Sequence, residues 1–172
     1  MKLQGKKIIV LVEDLYQELE VWYPLLRMRE EGAAVTTVGT EAGATYKSKT
    51  GYPVTSDAAS RDINVGEYDG IIIPGGYAPD LMRRHEATVK LVRESFEQGK
   101  VVAAICHAGW MLTSADIVNG KRLTGFFAIR DDLVHAGAQY EDAEVVVDGN
   151  LITSRKPDDL PAFCREIIRA LR

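Results

Sequence analysis

Two hydrophobic rhythms alternate along the chain. Residues 8–12, 71–73 and 101–105 are short apolar runs with no polar face. That is the pattern of strands buried on both sides in a parallel sheet. Between such runs lie longer stretches with apolar residues at helical spacing. The first helix is predicted over about 18–31, with Leu19, Trp22, Tyr23 and Leu26 as its buried stripe and Gly32 as its stop. Residues 34–38 read as a second strand, so right-handed parallel pairing with the first is expected. Residues 40–56 are rich in glycine and threonine and read as a small hairpin or loop excursion. A strand over 69–73 ends at Pro74-Gly75-Gly76. A helical turn follows at 81–84, then a helix at 87–98 with Val89, Val92 and Phe96 inward and Gly99 as its stop. Beyond 101–105 the pattern predicts a turn at Asn119-Gly120, a short strand at 122–124 and a helix at 129–136. A hairpin over 144–153 turns at Asp148-Gly149. A last helix over 157–171 carries Leu160, Phe163, Cys164, Ile167, Ile168 and Leu171 on one face. No linker, repeat or low-complexity run interrupts this order. Strands alternating with helices predict one three-layer α/β/α sandwich with a mostly parallel central sheet, a single domain over 1–172.

The chemistry gathers where the run 101–105 meets Cys106-His107-Ala108-Gly109. A thiol at the carboxyl end of a central strand sits where ligands bind in open α/β folds. The backbone N–H groups of a helix start point at it and favour thiolate. The arrangement has the logic of a nucleophile elbow with cysteine in place of serine. A free cysteine more often serves as a small buried hydrophobe, which is the natural reading of Cys164 within its helix stripe. For Cys106 the strand-end position, the adjacent histidine and a second glycine turn at Gly75-Gly76 favour chemistry. Side chains of neighbouring residues usually diverge, so direct contact between Cys106 and His107 requires a strained elbow. Gly76 allows a backbone N–H to approach a substrate closely. With the N–H of His107 it could complete an oxyanion hole. Glu20 opens the first helix. It could be a partly buried carboxyl shifted toward its protonated form, although its residue context alone favours a solvated helix-face glutamate.

Totals change this picture little. The 172 residues are 46% hydrophobic and 27% charged, ordinary values for a globular domain. A net charge of −4 gives no electrostatic case for nucleic acid. No apolar run approaches the ~20 residues of a membrane span. The basic start precedes an apolar run too short for a signal-peptide core, so a cytoplasmic location is expected. Two cysteines without ligand spacing and three histidines without paired spacing predict no metal site and no cofactor. His85 and His135 read as surface or structural residues.

Several ordered segments resemble the PfpI family of intracellular peptidase-like proteins, the superfamily of the parkinsonism-associated deglycase and a relative of class I glutamine amidotransferase domains. They are Glu20-Val21-Trp22-Tyr23-Pro24, Ile72 through Asp80, Ala104-Ile105-Cys106-His107-Ala108-Gly109, Arg130-Asp131-Asp132, Asp142 through Asn150, and Thr153-Ser154-Arg155. The resemblance implies a flavodoxin-like sandwich with Cys106 as nucleophile and Glu20 as the carboxyl beside it. Gly76 and His107 would be backbone donors. It also implies that a carboxylate from a neighbouring subunit orients His107; here that position is Asp80, one methylene shorter than the family's glutamate. Homo-oligomers, dimers or trimers of dimers, follow from such a shared site. Ala108-Gly109-Trp110 and Phe126-Phe127 depart from the family's usual glycine-proline and tyrosine-proline. The activity implied is a cysteine-dependent hydrolase acting on 2-oxoaldehydes, on early glycation adducts of amines or thiols, or on peptides. The rival reading is a redox sensor working through oxidation of Cys106.

Overall fold

A computed structural model describes all of residues 1–172. Its main sheet has seven strands in the order β10-β11-β7-β6-β1-β2-β5. They are β1 (Lys7–Leu11), β2 (Ala34–Gly39), β5 (Ala58–Ala59), β6 (Gly70–Ile73), β7 (Val101–Ile105), β10 (Val146–Asp148) and β11 (Leu151–Ser154). All pair in parallel except β10, which runs antiparallel to β11 at one edge. Every residue of β6, β7 and β11 is buried, as the unbroken apolar runs of β6 and β7 require. Two small pairs stand apart. They are the antiparallel hairpin β3 (Thr45–Lys47) with β4 (Pro53–Thr55), and the parallel pair β8 (Arg122–Leu123) with β9 (Gln139–Tyr140). The hairpin predicted within 40–56 is therefore present. The short strands β5 and β9 have no hydrophobic signature of their own.

Helices α1 (Glu18–Glu30) and α6 (Leu160–Leu171) cover one face. The other is covered by α2 (Ala78–Met82), α3 (Glu86–Glu97), α4 (Gly109–Ser114) and α5 (Arg130–His135). One hydrophobic cluster of 46 buried residues fills both layers. The predicted stripe of α6 is buried throughout, Cys164 included. No helix is long and apolar enough to cross a membrane.

The first helix is turned relative to expectation. Leu19 and Leu26 are 53% and 56% exposed, Tyr23 is also exposed, and Trp22 is half-buried. The buried face is Glu20, Val21, Pro24, Leu25 and Met28. Both stripes have helical spacing, so periodicity alone could not choose between them. The start of the helix decides. The Gln17 side chain caps it by accepting the Glu20 N–H at 3.0 Å, and the buried Glu20 then fixes its rotation. Two smaller corrections concern the other face. The helical turn expected at 81–84 begins three residues earlier, with Pro79 in its first turn. In α3, Thr88, Leu91, Val92 and Ser95 are buried, while Val89 and Phe96 pack half-buried at the core's margin.

Chain order explains where a site can form. From β1 the chain moves outward through β2 to β5, then returns to lay down β6, β7 and β11 on the other side of β1. The topological switch point lies between β1 and β6, and open α/β sheets bind ligands at the carboxyl ends of strands there.

Candidate active site

Three strand ends meet at that crevice. Beyond β1, the Tyr16 segment bridges antiparallel to Gly76. Gln17 N–H donates to Gly75 C=O at 3.3 Å and Tyr77 N–H to Leu15 C=O at 2.9 Å. These bonds lock the start of α1 onto the turn after β6 and bring Glu20 beside the end of β7. Gly76 has φ +76°, and a Cβ there would lie 2.6 Å from the Gln17 nitrogen and the Leu15 oxygen. Only glycine fits that position.

Cys106 has φ +62°. The left-handed region is costly for a non-glycine residue, and such strain persists only where the surroundings enforce it. Here it folds the thiol back toward its own neighbour. Cys106 Sγ lies 3.3 Å from His107 Nδ1, the contact that required a strained elbow. The backbone is held by the Phe126 N–H, which donates to the Cys106 carbonyl at 3.1 Å. The backbone N–H groups of Gly76 and His107 lie near enough to the thiol to favour its charged form.

Glu20 is fully buried. Its Oε2 accepts the Gly75 N–H at 2.7 Å, and its Oε1 has no hydrogen-bond partner. Burial pushes this carboxyl up to about 8, against the opposing pull of the Gly75 N–H, the thiol and Lys49. The solvated glutamate favoured by local context is thus not what folds, because that context did not include the sheet edge above it. The thiol is also pushed up, to about 12, first by burial and then by charge on Glu20; the N–H groups of Gly76 and His107 pull the other way. The expectation of a thiol lowered by a helix start is therefore corrected. Burial outweighs the donors, and α4 is only six residues long. Two buried acids that face each other across Gly75 resist carrying two charges, so they titrate as a pair. With Glu20 protonated, its part in raising the thiol vanishes.

His107 is half-buried, and burial followed by the charge of Lys49 lowers its pKa. Its ring lies 4.7 Å from the Phe126 ring and edge-on to Trp110 at 5.2 Å. Trp110 is itself fixed by donating its indole N–H to Asp132 at 2.9 Å. These two aromatics hold the imidazole, a role that the sequence marked only as departures from a family pattern. Asp80 stands on α2 and accepts from Arg84 at 2.6 Å; within the chain it makes no hydrogen bond to His107. His85 and His135 are exposed and outside this cluster. Lys49, at the turn of the β3–β4 hairpin, was missed altogether. Its charge reaches both Glu20 and His107, yet nothing in a lysine between serine and threonine announces it.

This geometry coincides with a family match. A model of the DJ-1/PfpI family matches residues 6–170. The chain belongs to the DJ-1/PfpI family. Its α/β fold is the flavodoxin-like sandwich of that family. A deglycase of Thermococcus kodakarensis is 42% identical over 166 residues, covering 96% of this chain and 99% of that protein. Protein/nucleic acid deglycase 2 of Escherichia coli is 42% identical over 169 residues, covering 97% and 98%. The solved two-domain protein of Anabaena variabilis, with a DJ-1/ThiJ/PfpI-like and a ferritin-like domain, has a TM-score of 0.96 at 42% identity. That match covers 97% of this chain and 48% of the other, so this chain spans about half of that protein's length.

Proposed function

We propose that this DJ-1/PfpI protein is a cysteine-dependent hydrolase of small carbonyl electrophiles, 2-oxoaldehydes or the early adducts they form with amines and thiols. One observation carries the reading: a strained thiol in contact with an imidazole, with a fully buried carboxyl facing it across Gly75. The relatives named deglycases support the choice of substrate class.

His107 Nδ1, in the tautomer that leaves it unprotonated, takes the thiol proton across the 3.3 Å contact. The thiolate adds to the carbonyl carbon. A C–S bond forms, and the carbonyl π electrons move to oxygen. The Gly76 and His107 N–H groups, which already favour charge on the sulfur, would donate to that oxyanion. Protonated Glu20 stays neutral while the sulfur is charged and places an O–H beside it. With a 2-oxoaldehyde the oxyanion takes a proton and becomes a hemithioacetal. His107 then carries the proton of that carbon, through an enediol, to the neighbouring carbonyl carbon, and water hydrolyses the resulting 2-hydroxyacyl thioester to a 2-hydroxy acid and free thiol. An adduct enters the same route once its carbinol carbon expels the amine or thiol, protonated by His107, and the aldehyde re-forms. Asp80 of a neighbouring subunit would orient His107 from its far side in a homo-oligomer. Peptide cleavage is the less favoured substrate choice, since the thiol is recessed (7% exposed). Oxidation of Cys106 as a redox signal is the second reading. It draws on the unpartnered Glu20 Oε1, a group that could hydrogen-bond a sulfinate.

The test is turnover of methylglyoxal and of a methylglyoxal-treated amine by wild type and by Cys106→Ala. Loss of both activities in the variant is expected. Unchanged consumption would end the hydrolase reading. Stoichiometric sulfinate at Cys106 after mild peroxide, with no turnover of either substrate by wild type, would replace it with the sensor.

A further inference from the structure

The turn carrying Lys49 is anchored more firmly than an exposed hairpin tip needs to be. Glu18, on the first turn of α1, accepts from the Ser48 hydroxyl at 2.6 Å, from the Thr50 N–H at 2.8 Å and from the Thr50 hydroxyl. The residues on both sides of Lys49 are thus tied to one carboxylate. Burial opposes that charge, but the Ser48 and Thr50 donors outweigh it and bring Glu18 down to about 2. The Lys49 N–H itself donates to Tyr16 C=O at 3.0 Å. Tyr16 is fully buried, and its hydroxyl donates to Tyr52 C=O at 2.7 Å, closing the turn from the other side. The same Tyr16 bridges to Gly76. Lys49 is therefore bonded to the segment that itself bridges to the oxyanion glycine.

The ammonium makes no hydrogen bond within the chain. Lys49 is exposed and joins none of the chain's ion pairs. Of the groups that feel its charge, Glu20 and His107 both belong to the thiol site. A cation whose backbone is fixed beside the Tyr16–Gly76 bridge, and whose charge no carboxylate of the chain pairs with, suits a ligand anion.

We propose that Lys49 is a specificity-determining residue that binds an anionic group, carboxylate or phosphate, carried by the electrophile within a few bonds of the carbon that Cys106 attacks. The inference rests on Cys106 being the attacking group, but not on turnover. The preferred electrophiles are accordingly 2-oxo compounds with an acidic neighbour, in preference to neutral ones of the same size.

Alkylation of Cys106 tests this independently of hydrolysis. Iodoacetate and iodoacetamide are close in size and react alike: a C–S bond forms, the C–I bond breaks and iodide leaves. They differ in one negative charge. The ratio of their rate constants at Cys106, followed by peptide mass spectrometry, cancels any change in thiol ionisation. In Lys49→Gln the ratio should fall about three- to tenfold, the effect of a unit charge across a partly solvated gap. Lys49→Arg should keep the wild-type ratio, as should Lys47→Gln on the same hairpin. Raised salt should shrink the ratio in wild type but not in Lys49→Gln. Protection of Cys106 from iodoacetamide by lactate or by inorganic phosphate then tells carboxylate from phosphate. An unchanged ratio in Lys49→Gln would overturn the proposal, as would failure of both reagents to reach Cys106. If the ratio responds while no carbonyl substrate turns over, the anion site stands and the hydrolase reading falls.

Discussion

Gly75 donates its N–H to Glu20 Oε2 at 2.7 Å, and a Cβ on Gly75 would lie 2.6 Å from that oxygen and 2.7 Å from Cys106 Cβ. The carboxyl and the thiol-bearing residue thus meet across a glycine that has no room for a side chain. Gly75→Ala must push one of them aside. Overpacking of this kind costs about 1–3 kcal/mol of stability, and displacement near 1 Å can cost about a hundredfold in rate. We expect a fall in kcat/KM well beyond what a urea-unfolding curve would suggest. A fully active Gly75→Ala would show that Glu20 and Cys106 need not meet.

Glu20 makes stability depend on pH with a particular sign. Its pKa rises from an ordinary 4.5 to about 8 on folding. Between those values the folded chain keeps a proton that the unfolded chain has lost. Stability therefore falls as pH rises from about 4.5 to about 8, by on the order of 5 kcal/mol in all. Glu20→Gln removes the dependence. Unfolding midpoints from pH 5 to 9 should slope downward in wild type and flatten in the variant, crossing so that Glu20→Gln is the more stable at pH 9. Parallel curves would contradict the buried carboxyl.

The rotation of α1 can be tested on two adjacent leucines. Leu25 is 1% exposed and Leu26 is 56% exposed. Leu25→Ala should cost about 2–5 kcal/mol by loss of packing and creation of a cavity. Leu26→Ala should fall within about 0.5 kcal/mol of wild type, as exposed substitutions do. Denaturant unfolding of the two variants decides the matter, and equal costs would mean the helix faces the other way.

Phe126 is expected to act on rate more than on stability. Its ring lies 4.7 Å from that of His107, and an aromatic pair contributes about 0.5–1.5 kcal/mol beyond its area. Phe126→Ala should lower kcat by about two- to tenfold, and Phe126→Leu should lose the ring contact while keeping the bulk. Methylglyoxal kinetics on both variants would check this. Unaltered kcat in both would leave the imidazole held by Trp110 alone.

Much of this arrangement was legible in the chain because it is written locally. The apolar runs of β1, β6 and β7, the stripe of α6 and the strand-to-turn step at Cys106 each depend on neighbours in sequence. Glu20 was legible only as a motif. Its burial comes from a bridge between Tyr16 and Gly76, sixty residues apart in sequence. The facing of α1 hid for the same reason: Leu19 and Leu26 form as regular a stripe as Val21, Leu25 and Met28, and only tertiary anchoring chooses. Lys49 and the aromatic hold on His107 are long-range as well. Lys49 reaches the site through a Glu18–Ser48–Thr50 clamp, and Phe126 through its bond to the Cys106 carbonyl. The thiol's raised pKa follows from burial, which a strand-end position does not reveal.

The central claim is that Cys106 and Glu20 share their protons in a reactive site, and the rate of Cys106 alkylation by iodoacetamide against pH tests it most directly. In wild type the first proton leaves the pair near pH 8 and is lost from either member. The rate should climb to a partial plateau, then rise again toward pH 12 as the second proton goes. In Glu20→Gln only the thiol titrates, so the profile should be one step, centred at or above the first wild-type step and reaching the full rate. Superimposable one-step profiles in the two proteins would contradict the account and leave Cys106 an ordinary thiol.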